Sequence, residues 1–281
     1  MNALELKNVT KKYPDFCLDG IDLTLPSGCI IGLIGQNGAG KSTTIKLILD
    51  MLQLDDGYIS VLGMDHHKHA REIKEDVGVV LDEVGIPECL NARQVGKVMQ
   101  NTYKNWDMAR YAELLGRFSL PEKKPFKEFS RGMKMKLGIA VAMSHGAKLL
   151  VLDEPTGGLD PVVRDEVVEL FYEFTRDEEH SILISSHIVS DLERLCDYVA
   201  FLHRGKLLLC KEKDALLDSY YCVHCTREQL AAIPAGAILH KKETPYGVEL
   251  VMKREDVPQE LAHGPITIEE LFVTMVKEAR E

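Results

Sequence analysis

The chain has 281 residues, 45% of them hydrophobic, and a formal net charge of −10. That is enough apolar material for one large domain and a smaller one, and the acidic balance argues against a dedicated nucleic-acid binder, whose footprint is a basic patch. No apolar run approaches the ~20 residues that span a bilayer, and Met1-Asn2-Ala3-Leu4-Glu5 lacks a basic-then-apolar signal pattern, so a soluble, cytoplasmic chain is expected.

Alternation at Leu4/Leu6 and at Ile21/Leu23/Leu25, broken by Pro14 and by Pro26-Ser27-Gly28, predicts antiparallel strands. They lead into an apolar strand at Ile30-Ile31-Gly32-Leu33-Ile34. Directly after it stands Gly35-Gln36-Asn37-Gly38-Ala39-Gly40-Lys41-Ser42, a G-x-x-x-x-G-K-[ST] loop. Glycines let the backbone curl so that successive N–H groups point at a phosphate chain. In such a loop Lys41 reaches the β- and γ-phosphates and the Ser42 hydroxyl ligates Mg²⁺. Ile45, Ile48, Leu49 and Leu52 carry the stripe of a following helix, whose N-terminus adds positive charge where phosphates lie. The pattern specifies a nucleotide-binding protein.

Further along, His66-His67-Lys68-His69 falls between a turn and a charged helix start, which predicts a solvated surface rather than a metal site. Val77–Leu81 reads as a buried strand. From about 88 to 145 the β-type runs vanish, and Ala92–Trp106 and Met108–Phe118 read as helices. Pro121 and Pro125 mark a loop ending at Phe129-Ser130. Strand-like runs return at Leu149–Leu152, Ile182–Ser185 and Tyr198–Leu202, and Leu207–Leu209 follows a tight Arg204-Gly205 turn. This alternation implies a largely parallel sheet covered by helices. After residue 211, short strands at Ala237–His240 and Val248–Met252 and a helix at Ile268–Glu278 predict a small α+β appendage. The seven cysteines are odd in number and scattered, as reduced thiols are, and Cys222-Val223-His224-Cys225 has no second Cys/His pair at ligand spacing.

Leu149-Leu150-Val151-Leu152-Asp153-Glu154 is an apolar strand ending in two carboxylates. Asp153 there suits Mg²⁺, directly or through water, opposite Ser42. One residue on, Glu154 suits a base that accepts a proton from an attacking water.

The order Gly35–Ser42, Phe129-Ser130-Arg131-Gly132-Met133, Leu152-Asp153-Glu154-Pro155-Thr156, Gly157-Gly158-Leu159-Asp160 and His187 resembles the ATP-binding subunits of ABC transporters over about residues 3–210. Its Ser-Arg-Gly-Met-Lys signature and short C-terminal extension look most like those of drug- and antibiotic-efflux or lantibiotic-immunity exporters. The resemblance implies an α/β phosphate-loop ATPase over residues 1–211, with an antiparallel β-subdomain, a largely parallel core sheet and a helical insertion, followed by an α+β extension over 212–281. Its cofactors are ATP and Mg²⁺. The implied mechanism sandwiches ATP between two subunits. Gly35, Gln36, Asn37, Gly38, Ala39, Gly40, Lys41 and Ser42 cradle the phosphates of one subunit's ATP, and Thr43 adds a hydroxyl. Ser130 and Gly132 of the signature meet the γ-phosphate held by the other subunit. Asp160 closes a loop that crosses the dimer interface, His187 contacts the γ-phosphate, and Tyr13 stacks on adenine.

The implied partners are a second ATPase subunit, identical or paralogous, and a transmembrane permease driven through the 83–125 region. That puts the chain on the inner face of the membrane. Three departures stand out, one of them Met133, where the commoner signature has Gln. Where the family usually places a Gln that touches Mg²⁺ and water, this chain has Asp82, a shorter, charged group able to bind metal yet adding negative charge. Arg131 replaces the commoner Gly of the signature, and its guanidinium is free to face a partner or the ribose. The rival readings are an ABC-type ATPase without transport and a nucleotide-gated regulatory module with little turnover.

Overall fold

The computed structural model describes residues 1–245 and 247–279; the expected end of the extension at 281 lies outside the described residues. Strands β1 (Asn2–Lys12) and β2 (Cys17–Pro26) pair antiparallel, and β3 (Ile30–Gly35) runs into the phosphate loop and α1 (Lys41–Ile48). With β4 (Asp56–Val61) and β5 (Met64–Asp65), the first two strands form a sheet ordered β2-β1-β4-β5. Next come α2 (Ala70–Asp76), β6 (Val77–Val80) and three helices, α3 (Ala92–Thr102), α4 (Met108–Arg117) and α5 (Arg131–Ala142). Strand and helix then alternate through β7 (Leu149–Asp153), α6 (Pro161–Phe174), β8 (Ser181–Ser186), α7 (Val189–Leu195), β9 (Tyr198–His203) and β10 (Lys206–Glu212). The last stretch holds α8 (Lys213–Asp218), β11 (Tyr220–Cys225), α9 (Arg227–Leu230), β12 (Ile238–Thr244), β13 (Gly247–Lys253), β14 (Ala262–Pro265) and α10 (Ile268–Glu278).

The central sheet has the order β10-β9-β3-β8-β7-β6, with β3, β6, β7, β8 and β9 parallel and β10 antiparallel to β9. Strands β3, β7 and β8 are buried at every position, as apolar runs such as Leu149–Leu152 demand of a sheet covered on both faces. Alternate side chains of β3 serve two cores. Ile31 and Leu33 pack with the β1–β2 sheet, while Ile30 and Ile34 pack with the helices. Because the parallel strands point one way, the residues following β3, β6, β7 and β8 emerge at one edge, where such sheets bind ligands.

In the helical insertion, Asn91 and Gln94 form a capping box at α3, and Tyr111 on α4 donates its hydroxyl to the Ala92 carbonyl at 2.8 Å. The chain leaves α3 at Tyr103 rather than Trp106. The Tyr103 ring stacks on His145 at 4.0 Å, and the Lys104 amide donates to Glu75, so tertiary contacts end the helix early. His145, buried after α5, has its Nε2 3.3 Å from the Val77 carbonyl, and burial pushes its pKa down. The insertion is thereby tied to β6.

Residues 220–265 build a sheet ordered β12-β13-β11-β14 around Val223, Leu250 and Met252. Helix α10 packs on the main core, with Phe272 edge-on to Phe201 at 5.3 Å. Strand β11, unforeseen in the sequence, carries Cys222 and Cys225. Three residues apart on a strand, they face opposite ways, and among the described residues no cluster of His, Cys, Asp or Glu is arranged to hold a metal. The histidine run is only partly solvated. His66 is 6% exposed, its amide bonded to the Ile59 carbonyl, while His67 Nδ1 lies 3.0 Å from Asp50.

Candidate nucleotide site

The phosphate loop needs glycine for two reasons. Gly38 (φ 78°) and Gly40 (φ 114°) are left-handed. At Gly35 the close neighbour is backbone, since a Cβ there would stand 2.6 Å from the Leu202 carbonyl oxygen. A Cβ at Gly38 would meet nothing within 4 Å, so the loop's outer side is open. Behind it the β9–β10 turn braces the loop, the Gly205 amide donating to the Ala39 carbonyl at 2.9 Å. Gln36, Asn37, Gly38 and Ser42 are exposed, Ala39 is buried, and Thr43 is half-buried at the start of α1. Lys41 is buried, its Nζ donating to the Gly35 carbonyl at 2.8 Å. Tyr13 is exposed, with its ring centre 6.3 Å from that of Phe16, whose ring would lie 3.0 Å from a Cβ at Gly40. The aromatic and the loop therefore share one end of the molecule.

Asp153 ends β7 and is buried, accepting from the Ser185 hydroxyl at 2.5 Å. Glu154 has a φ of 53°, a conformation that L-residues adopt at a cost and that clusters at functional sites. Its amide donates to the Ser185 carbonyl at 3.1 Å, which holds that backbone turn. The turn carries the carboxylate out of the strand's alternation to lie 3.5 Å from Lys41 Nζ and 2.6 Å from His187 Nδ1. The His187 amide donates to the same carboxylate at 3.1 Å. Sequence reasoning passed over Ser185, although two serines closing the apolar run Ile182-Leu183-Ile184 were a signal that polar partners waited there.

The signature segment has a different character. Ser130 is exposed and caps α5, accepting from the Met133 amide at 3.3 Å. Gly132 faces the loop after β7; a Cβ there would lie 3.2 Å from Leu159. Asp160 caps α6 in the same manner, at 3.1 Å from the Val163 amide. Asp82 follows β6 and pairs with Arg131 at 2.6 Å. The structure thus gathers Lys41, Asp153, Glu154 and His187 through shared contacts, and joins Asp82 to the signature side.

As a donor set the loop amides, Lys41 and the start of α1 suit a polyphosphate. The Ser42 hydroxyl and the Asp153 carboxylate are hard oxygens of the kind Mg²⁺ takes, one or two at a time, beside phosphate and water.

Residues 18–157 match the family model described as ABC transporter. The lantibiotic transport ATP-binding protein SrtF of Streptococcus pyogenes is 36% identical over 214 residues, covering 75% of this chain and 91% of SrtF. Among solved structures, an ATP-binding subunit of an ABC transporter superposes with a TM-score of 0.70 at 28% identity, over 82% of this chain and 93% of that one. A dimeric ATP-binding cassette in a post-hydrolysis state, bound to ADP and Pi, shares the fold with a TM-score of 0.67 at 20% identity, covering 75% of this chain and 98% of its own. A phosphate loop whose Lys41 meets the acid that follows β7, with relatives of this closeness, shows that the chain belongs to the ATP-binding subunits of ABC transporters, ATPases that drive transport.

Proposed function

We propose that this chain binds Mg·ATP in the Gly35–Ser42 loop, hydrolyses it from Glu154, and completes each site with the signature segment of a second ATPase subunit. The observation that carries the proposal is the Glu154 carboxylate, held on a left-handed backbone between Lys41 and His187 at the edge where the loop opens.

In this reading the loop amides and Lys41 take the β- and γ-phosphates, Thr43 adds a hydroxyl, and the exposed Tyr13 ring stacks on adenine. Ser42 and Asp153 hold the metal, which supplies charge neutralisation on the phosphoryl oxygens when bound. Asp82 supports the same site from the neighbouring strand. Glu154 orients and deprotonates water, and His187 shares a hydrogen bond with that carboxylate at 2.6 Å, which fixes its direction. Catalysis is mainly electrostatic positioning.

Ser130 and Gly132 complete the site of the opposite subunit, a second copy or a paralogue, with Asp160 at the seam. Exposure of Ser130 and Asp160 supports this, because within one chain each side chain does no more than cap its own helix. Residues 1–211 act as the motor and 212–281 as an appendage. The motor works on a membrane permease from the cytoplasmic face; among the described residues no helix is long and apolar enough to cross a membrane itself. An apolar groove of about 670 Å³, with Leu49, Met51, Ile73, Val79 and Tyr103 in its walls, suits an incoming permease helix. It meets the 83–125 region at Thr102 and Tyr103.

Phosphate release by the purified chain with Mg·ATP tests the proposal. Steady turnover that disappears in Lys41→Ala is expected, and turnover unchanged in that variant would refute the site.

A further inference from the structure

Arg131 joins three segments, its own among them. Its Nη2 lies 2.6 Å from Asp82 Oδ1. Val80 pairs with Leu152, so Asp82 leaves β6 at the edge where Asp153 and Glu154 close β7. Arg131 also opens α5, one residue after Ser130. Its shaft lies over the loop after β7: a Cβ at Gly158 would stand 3.5 Å from Arg131 Cδ, and one at Gly157 would stand 3.9 Å from Nη2.

Charge gives that junction a purpose. Asp82, Asp153 and Glu154 set carboxylates at one sheet edge beside a loop built for polyphosphate. Lys41 already answers Glu154, and the Ser185 hydroxyl answers Asp153. Left bare, Asp82 would oppose the negative charge that spreads over the phosphoryl oxygens as the bond breaks, and would be free to turn away from the working position. A charge-assisted bond from Arg131 cancels that charge and fixes where the carboxylate stands. Stability is not the reason for the pair, since its side chains are 63% and 52% exposed and pairs so exposed contribute little to folding.

We infer that Arg131 is a positioning residue for hydrolysis, acting through Asp82: it neutralises and orients that carboxylate and ties it to the loop after β7 and to the start of α5. The inference rests on the ATPase reading above. It makes two of the departures from the family pattern, at 82 and 131, a single device, in which an acid at position 82 requires a base at position 131.

The test compares full-length wild type, Arg131→Gln, Asp82→Gln and the double variant by steady-state phosphate release and by amide exchange without nucleotide. Arg131→Gln is expected to lower kcat about tenfold while KM for ATP moves less than about threefold, because the lost term is not ground-state binding. The double variant is expected to recover most of that loss, since an amide at 82 needs no countercharge; independent roles would instead make the two losses add. In the nucleotide-free protein, Arg131→Gln should speed exchange in both 82–86 and 157–159, segments linked through this one side chain. A wild-type rate in Arg131→Gln, a double variant no faster than Arg131→Gln, or unchanged exchange in both segments would overturn the inference while leaving the ATPase reading intact. An inactive wild type would sink that reading itself.

Discussion

The two halves of the candidate site are built in opposite ways. Around the phosphate loop, functional groups are already engaged with one another: Lys41 with Gly35 and Glu154, Glu154 with His187, Asp153 with Ser185. On the signature side, Ser130 and Asp160 are exposed and bond only to the first turn of their own helices. A network of that kind is preorganised to hold a ligand by itself, whereas a lone capped helix end offers one face to whatever arrives. On the proposed reading, one chain carries the seat for the phosphates, and its lid comes from a second subunit.

The sharpest way to break this contrast is at Glu154. Glu154→Gln keeps the shape and removes the proposed base, so turnover should fall by roughly 10³-fold while nucleotide binding persists. Phosphate release measured beside filter binding checks both halves of that statement. On the lid, Ser130→Arg should cost about 10²-fold in turnover by blocking the face offered to the other subunit's phosphate, with the melting temperature of the nucleotide-free chain little changed. Supporting groups should matter less. Ser185→Ala removes the hydroxyl that holds Asp153 and the Glu154 amide, and about tenfold in kcat is expected.

The smallest effect is one of pH, away from the site. Burial lowers the pKa of His145 below its ordinary 6.5, so the folded chain takes up its proton less readily than the unfolded chain. Its contribution is complete above pH 6.5 and is lost as pH falls from there through the lowered folded value. Denaturant midpoints from pH 8 to 5.5 should fall on the acid side, and more gently in His145→Asn. A slope identical in the two proteins would exclude His145 as a source.

The seat was largely legible in the sequence because its chemistry is local. Eight consecutive residues, Gly35 to Ser42, determine the loop, and an apolar strand before Asp153-Glu154 places the acids. The parallel strands were legible as well, since β3, β7 and β8 each carry an apolar run, at Ile30–Ile34, Leu149–Leu152 and Ile182–Ile184. What stayed hidden depends on contacts between distant segments. Nothing near Arg131 points to Asp82, 49 residues earlier; the pairing exists because α5 starts beside the end of β6. Strand β11 escaped because Tyr220–Cys225 is edged by charge and only Val223 and Cys225 are buried. The end of α3 escaped because Tyr103 leaves the helix to stack on a histidine that follows α5.

Calorimetric titration of Mg·ATP into Lys41→Ala and Ser130→Arg tests the difference between seat and lid most directly. Ser130→Arg is expected to bind ATP like the wild type, whereas Lys41→Ala should lose about 10²-fold or more in affinity, because the buried cation of the seat is gone. Equal losses in the two variants, or binding that survives without Lys41, would contradict it.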